Sequence, residues 1–537
     1  MQKGSDIFVR ALENEGVEYV FGVPGEENLD FLESLRTSSI RFIATRHEQP
    51  AAFMAATYGR LTGRPGVCLS TLGPGATNLV TGAAYALLGG VPMLMITGQK
   101  PILQRCQARF QIIDAVGMME PLTKQAKQIV DASHIATMVR DAFRIAQEER
   151  PGPVHLELPE DIAAQKVERA ELVAVTPYHH AVAPDAAIAA AADALSGARR
   201  PLVMIGGGAN RPGLCGVLSE AVGRLGIPFF NTQMGKGAID GQSHLFIGTA
   251  AVSDNDLIHD IIDEADVILA IGHDTVEKPP FLMDSEGPTV VHMDFNPADI
   301  DTVYRPHLEI VGEIGDAARR LAERLGDHRF DSTDVLEKRD ILWSRLQEDA
   351  SDDRFPVIPQ RLVADVRKAL PEDGILCLDN GMYKLWFARH FRTHLANTLL
   401  LDNALASMGA GLPSAIMAAL LYPERRVMAV CGDGGFMMNS QELETAIRLG
   451  INLTVLIVED GAYGMIRWKQ QTDGFEDFGM SFGNPDFVAY AAAYGAKGVR
   501  VNSADVLAAA LKEAVNAGGV NVVVVPIDYS ENLRVFG

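Results

Sequence analysis

Two carboxylates occupy matching places in the C-terminal third of the chain. Asp433 stands in Gly432-Asp433-Gly434-Gly435 at the close of the apolar run 427–431, and Asp460 follows a second apolar run, 453–458, in Glu459-Asp460-Gly461-Ala462-Tyr463-Gly464. Between them Asn439-Ser440-Gln441-Glu442 reads as a capping box, and Leu443, Ala446 and Ile447 give one apolar helical face, so the unit reads strand, helix, strand. Parallel neighbours run about 4.8 Å apart, and ligands of open parallel sheets bind beyond the carboxyl ends of the strands, so the two aspartates are expected to reach one ion. An Mg²⁺ octahedron built there takes Asp433, Asp460, a backbone carbonyl assigned to Ala462, phosphate oxygens and water. Either loop alone is an ordinary Asp-Gly turn. The pair, beside glycines that let a diphosphate approach, reads as a site for a metal and a diphosphate.

A third carboxylate lies near the other end of the chain. Arg46-His47-Glu48-Gln49-Pro50 sits where the short run 41–44 gives way to a helix, with Pro50 acceptable in its first turn. Glu48 there complements a helix dipole in any protein, and His47 reads as a local hydrogen-bonding residue. The following segment, Ser70-Thr71-Leu72-Gly73-Pro74-Gly75-Ala76-Thr77-Asn78, is a glycine-rich loop that opens another helix.

The elements that must position these groups alternate. Short apolar runs at 19–21, 41–44, 67–70, 93–97 and 154–158 are separated by helical segments; a second round follows at 202–205, 228–230, 267–271 and 290–293, and a third from 375 to 527. Alternation of this kind predicts parallel α/β sheets with helices on both faces. A chain of 537 residues exceeds one core, and three domains are expected: 1–165, 185–328 and 355–537, with the charged stretch 326–358 as a solvated linker and lead-in helix. With 47% hydrophobic and 22% charged residues the composition is that of a globular protein, and the net charge of −22 argues against a nucleic-acid partner. Cys68, Cys106, Cys215, Cys377 and Cys431 are scattered and read as reduced small hydrophobes. The N-terminal segment 5–15 reads as a surface helix without a signal-peptide hydrophobic region, and no apolar stretch reaches the length of a membrane span; a cytoplasmic protein is expected.

In their order and spacing these segments resemble the cofactor-binding signatures of the thiamine diphosphate enzymes, and over essentially the full length the chain looks like the acetolactate synthases, nearest the flavin-free catabolic branch. The resemblance is carried by 46–49, 70–78, Ile96-Thr97-Gly98-Gln99, Phe110-Gln111, 121–124, 402–413, the Gly-Asp-Gly loop, 483–486 and 527–530, with Asp460 standing where the family usually has Asn. It implies three doubly wound parallel-sheet α/β domains of the thiamine diphosphate enzyme type, the first binding the pyrimidine and the third the diphosphate. Glu48 is then the residue at N1′ of the aminopyrimidine, and Met408 the wedge that bends the cofactor. The backbone of Ala406 and Met408 holds the pyrimidine, and Gly381, Met382 and Tyr383, with Gly434, Gly435, Ala462, Tyr463 and Gly464, contact the cofactor. Gln111 is a further candidate catalytic residue.

The implied activity is thiamine diphosphate- and Mg²⁺-dependent condensation of two pyruvate molecules to 2-acetolactate with loss of CO₂, in a homodimer or homotetramer whose active site lies between subunits. Gly272-His273-Asp274-Thr275-Val276-Glu277 replaces the flavin-binding segment of the anabolic branch, and Gly206-Gly207-Gly208 lacks a full dinucleotide fingerprint, so no FAD is expected. One departure concerns the substrate. Flavin-free synthases typically carry a lysine two residues after the Pro-Gly of the first loop, where this chain has Glu27, and Arg109, Lys124, Arg467 or Lys469 is left to supply positive charge. The alternatives are a non-ligating 2-oxo acid decarboxylase, an aldehyde carboligase, a flavin-linked pyruvate oxidase, and a homologue that binds cofactor without turning over.

Overall fold

The computed structural model describes residues 1–103, 108–168, 170–252, 256–281, 283 and 287–536. The chain divides into two units, residues 1–179 with 416–421, and residues 180–415 with 422–537.

The first unit is built on six parallel strands in the order Arg41–Ala44, Tyr19–Gly22, Gly66–Ser70, Met93–Gln99, Pro153–Pro159, Gln125–Gln128. The strands stay parallel, but their order along the sheet reverses between Tyr19–Gly22 and Gly66–Ser70, and a crevice opens at such a switch point beyond the strand ends. The helices Gly4–Asn14 and Ile135–Gln147 cover one face through Phe8, Leu12, Val139 and Phe143, all buried with the strand residues Leu69, Leu94 and Leu156. The N-terminal helix thus has one polar face and one core face, as its alternation suggested. A two-stranded antiparallel ribbon, Gln2–Lys3 with Lys166–Val167, closes the unit.

The second unit carries two six-stranded parallel sheets. One runs Phe246–Ala250, Phe229–Thr232, Pro201–Ile205, Val267–Ile271, Thr289–Asp294, Leu308–Val311. The other runs Leu399–Leu400, Ile375–Leu378, Val427–Gly432, Leu453–Glu459, Val520–Pro526, Lys497–Arg500. The latter repeats the strand order of the first unit, whereas the middle sheet has the order of dinucleotide-binding folds. Three parallel α/β sheets are therefore present, as the alternation predicted.

Strands that the apolar pattern passes over lie at edges or carry polar residues. Gln125–Gln128 and Lys497–Arg500 are edge strands with exposed side chains, and Phe246–Ala250 is interrupted by Gly248 and Thr249. The charged stretch expected as a solvated linker and lead-in helix contains the helix Thr333–Leu346, and its Val335, Leu342, Trp343 and Leu346 join the core of the middle sheet. Charge on three sides of that helix hid its apolar seam. Cys68, Cys215, Cys377 and Cys431 are buried thiols not joined in disulfides; Cys106 lies outside the described residues. Among the described residues no helix is long and apolar enough to cross a membrane.

Candidate active site

Val427–Gly432 and Leu453–Glu459 are hydrogen-bonded neighbours, with Gly432 opposite Val458, so Asp433 and Asp460 leave adjacent strand ends on the same side of the sheet. Asp433 is 1% exposed, and its Oδ2 accepts from the N–H groups of Asp460 (3.2 Å) and Gly461 (2.7 Å) and from Asn484 Nδ2 (2.8 Å). Burial raises the Asp433 carboxyl above its usual range despite these donors. Asp460 is pushed up to about 7, first by burial and then by the charge of Asp433. Buried carboxylates leaving adjacent strand ends, one raised by the charge of the other, suit a divalent ion, which would lower both. Asn484 Oδ1, beside them, has no hydrogen-bond donor among the described residues.

The connection between the strands differs from the expected capping box. A helix, Asp433–Asn439, starts directly at the strand end with Gly432 as its cap, and a second, Glu442–Arg448, follows with no side-chain cap. The N–H of Leu443 is already taken by Ser440 O at 3.1 Å, Asn439 Nδ2 donates instead to Gly409 O at 2.8 Å, and buried Glu442 accepts from Thr445 Oγ1 at 2.6 Å. Leu443 and Ala446 are buried as predicted, and Ile447 is half-buried.

A cavity of ≈ 210 Å³ lies beyond these strand ends, lined by Gly381, Met382, Tyr383, Ala406, Met408, Asp433, Gly434, Gly435, Asp460, Ala462, Tyr463 and Gly464. Every residue assigned to the cofactor or metal by sequence is in that lining except Glu48, which belongs to the first unit, as does the candidate catalytic residue Gln111. The sequence reading missed Asn380, Lys384, Gly432, Val458, Met465, Ile466 and Tyr529. A side chain at Gly434 would place Cβ 3.1 Å from Tyr463 Cε1 and 3.5 Å from Met408 Cε, so the glycine keeps the cavity floor open. A helix N-terminus, a glycine floor and two buried carboxylates on adjacent strand ends suit a diphosphate carried with a divalent metal. Among the described residues no cluster of three or more ligating side chains exists. A divalent ion held there would take its remaining ligands from backbone, phosphate and water, as Mg²⁺ commonly does.

The loop 402–409 is held from several sides. Ala406 adopts φ 55°, and its N–H is fixed by Asp402 Oδ2 at 2.7 Å. Lys384 Nζ donates to Asp402 O (3.0 Å) and Asn403 Oδ1 (2.9 Å), and Asn380 Nδ2 donates to Ser407 O (2.8 Å). Asp379, fully buried, accepts from Gly409 N at 2.8 and 3.0 Å, and burial pushes it up to about 6. In the fold it ties the loop to the strand end.

In the first unit, Glu48 is the first residue of the helix Glu48–Thr62, 8% exposed, and its Oε2 accepts from Asn78 Nδ2 at 2.9 Å. His47 caps this helix, its Nδ1 accepting from Gln49 N at 3.2 Å, which is the local role expected of it. Gln111 is exposed with φ 59°, and a Cβ on Gly73 would meet its carbonyl oxygen at 2.8 Å, so it abuts the glycine-rich loop. Of the cations considered as substitutes at position 27, Arg109 is exposed, Lys124 donates to Glu148 O at 2.6 Å, Arg467 pairs with Asp477 at 3.0 Å, and Lys469 lies over the Trp468 ring at 4.5 Å. The cation beside Glu27 is Lys100, which sequence inspection had not singled out.

Comparison with known proteins agrees with this geometry. The chain matches the thiamine pyrophosphate enzyme N-terminal TPP binding domain over residues 2–118, the central domain over 188–321 and the C-terminal TPP binding domain over 379–525. It is 35% identical to a catabolic acetolactate synthase of Raoultella terrigena, over 99% of this chain and 96% of that one. It is 33% identical to an acetolactate synthase of Bacillus subtilis (99% and 94% covered) and 34% identical to a probable acetolactate synthase large subunit of Methanocaldococcus jannaschii (99% and 93% covered).

Proposed function

The chain belongs to the thiamine pyrophosphate-dependent acetolactate synthase family, and from that premise we propose that it condenses two molecules of pyruvate to 2-acetolactate with release of CO₂. The observation that carries the reading is the cavity at the switch point of the third sheet, where Asp433, Asp460 and the Gly434-Gly435 floor meet Met408. Thiamine diphosphate, when bound, supplies the carbon nucleophile and the electron sink that decarboxylation of a 2-oxo acid requires.

The chain's own residues do the rest. Asp433 and Asp460, with the carbonyl of Ala462, hold Mg²⁺ against the diphosphate, while Gly434, Gly435, Tyr463 and Gly464 admit its oxygens. Gly381, Met382 and Tyr383 close the other side of the same cavity. Met408, its loop pinned by Asp379, Asn380 and Lys384, is the apolar wedge under the cofactor. Glu48, kept in one orientation by Asn78, exchanges a proton at the aminopyrimidine N1′. Gln111, at the Gly73 loop, donates to bound substrate. The first domain, 1–165, supplies the pyrimidine side and the third, 355–537, the diphosphate side, in a homodimer or homotetramer of a cytoplasmic enzyme.

We propose further that no FAD takes part. At the switch point of the middle sheet Gly208 N–H is spent on Gly272 O at 2.7 Å, and a Cβ on Gly272 would meet Ala209 N at 2.2 Å, so the two loops that would cradle a dinucleotide pack on each other.

Purified protein supplied with thiamine diphosphate, Mg²⁺ and pyruvate is expected to release CO₂ and acetolactate, and Glu48→Gln to lower turnover by roughly 10²-fold or more while melting like the wild type. Acetaldehyde as the sole product, or near-normal turnover of the Glu48→Gln variant, would overturn the assignment.

A further inference from the structure

The crevice of the first unit holds a buried ion pair that the reaction scheme above leaves unused. Glu27 follows the strand Tyr19–Gly22, Thr71 follows Gly66–Ser70, and Lys100 follows Met93–Gln99, so one residue comes from each of three adjacent strand ends at the switch point. Lys100 Nζ pairs with Glu27 Oε1, and Thr71 Oγ1 donates to Glu27 Oε2. Glu27 is 5% exposed and Lys100 6%. The approach is tight by construction: a Cβ on Gly25 would stand 2.4 Å from Thr71 Cβ, and one on Gly98 3.0 Å from Glu27 Cβ. Thr71, which donates to the pair, neighbours Glu48: a Cβ on Gly75 would lie 3.0 Å from Thr71 Cγ2 and 3.3 Å from Glu48 Oε1.

A buried pair of this kind adds little to stability over well-packed apolar residues, since each ion must be desolvated. Its placement therefore calls for another reason. The Lys100 ammonium has three N–H groups, and Glu27 is its one hydrogen-bond partner among the described residues. The hydrogen bond to Glu27 raises the Lys100 pKa, which keeps the ammonium charged, while Glu160 and Glu26 add negative field around it. A protonated, oriented cation with unused donors, linked through Glu27 and Thr71 to the neighbourhood of Glu48, suits an anionic substrate group.

Resting on the proposed condensation, we infer that Lys100, held in place by Glu27, binds the carboxylate of the acceptor 2-oxo acid. The donor molecule is the wrong occupant. It must shed its carboxylate as CO₂, and a cation bound to that group stabilises the ground state more than the transition state. The acceptor keeps its carboxylate in the product, so a fixed cation orients its ketone carbon for attack without opposing the chemistry. Glu27 thus positions a cation and does not repel the substrate, and the positive charge sits on the fourth strand of the sheet in place of the first loop.

The test is the partition of pyruvate between acetolactate and acetaldehyde in wild type, Lys100→Met, Glu27→Gln and the double variant. Lys100→Met should shift the product ratio toward acetaldehyde by roughly tenfold or more at subsaturating pyruvate. Glu27→Gln, whose amide oxygen still accepts from Lys100 Nζ while the competing negative charge is gone, should lower the pyruvate concentration that half-saturates ligation. The double variant, which buries no unpaired charge, should fold and partition like Lys100→Met. A merely structural pair would move both single variants in the same direction, and that result, or a wild-type ratio in Lys100→Met, would overturn the inference while leaving the condensation intact. A wild type that makes only acetaldehyde would instead strike the condensation itself, and the acceptor site with it.

Discussion

Gly434 and Gly435 are adjacent in the chain, yet the structure gives their substitution by alanine different consequences. A Cβ on Gly435 would stand 2.6 Å from Asp379 Oδ2 and 3.2 Å from its Cγ. That carboxylate cannot retreat cheaply, because it accepts from Gly409 N at 2.8 and 3.0 Å and from Asn380 N at 2.8 Å. Overpacking of this type costs about 1–3 kcal/mol, and losing one hydrogen bond to a buried charged group adds about 1.5–3 kcal/mol. Less the about 1 kcal/mol by which alanine ordinarily improves a helix over glycine, Gly435→Ala should therefore destabilise by about 1.5–5 kcal/mol. At Gly434 the Cβ meets only ring atoms, Tyr463 Cε1 and Phe482 Cζ at 3.1 Å, and the Met408 methyl at 3.5 Å. These can shift, so Gly434→Ala should cost under about 1 kcal/mol, while its methyl takes up the floor on which the diphosphate rests. Denaturant unfolding without cofactor should report the first variant as the weaker fold. Calorimetric titration with thiamine diphosphate and Mg²⁺ should report at least tenfold weaker binding for the second. Wild-type stability in Gly435→Ala, or wild-type cofactor affinity in Gly434→Ala, would refute the reasoning.

Two further outcomes follow from charges. Asp460→Asn removes the repulsion between the paired carboxylates, so the cofactor-free protein should melt at higher temperature than wild type yet still bind thiamine diphosphate in a Mg²⁺-dependent way; thermal scans with and without Mg²⁺ check this, and a lower melting temperature without metal would contradict it. Lys236 is fully buried, donates to Thr249 Oγ1 at 2.8 Å, and is held down to about 7 by burial and then by the charge of Arg392. The unfolded chain therefore binds more protons than the folded one between about pH 7 and the usual lysine range, and stability rises with pH across that window. Lys236→Met should stabilise by about 2–4 kcal/mol near pH 7, and the gap to wild type should close by about pH 10 in urea unfolding; a gap independent of pH would contradict the assignment.

What sequence alone made legible was local. Asp433, Asp460 and Gly434 announce themselves because a strand end, a glycine and an acid fall within a few residues, and the strand runs 427–431 and 453–458 are apolar throughout. Met408 and Glu48 were reached only through the surrounding segments, since a methionine in a loop and a glutamate at a helix start are ordinary. Asn484 and Tyr529 converge on the cavity from 51 residues after Asp433 and from beyond the last strand, a juxtaposition that only the parallel crossover creates. Lys100 escaped for the same reason: it lies 73 residues from Glu27, and nothing near it in the chain distinguishes it from a solvated lysine. The expected capping box failed because a preceding helix already supplied the acceptors that a lone helix start would have needed from side chains.

The claim on which the account turns is that one ion joins the two strand ends to a diphosphate. Crystals grown with thiamine diphosphate and Mg²⁺ should hold the metal between Asp433 and Asp460, with the diphosphate over Gly434 and Gly435 and Met408 against the cofactor's bend. Metal density away from both aspartates, or a diphosphate bound outside this cavity, would contradict it.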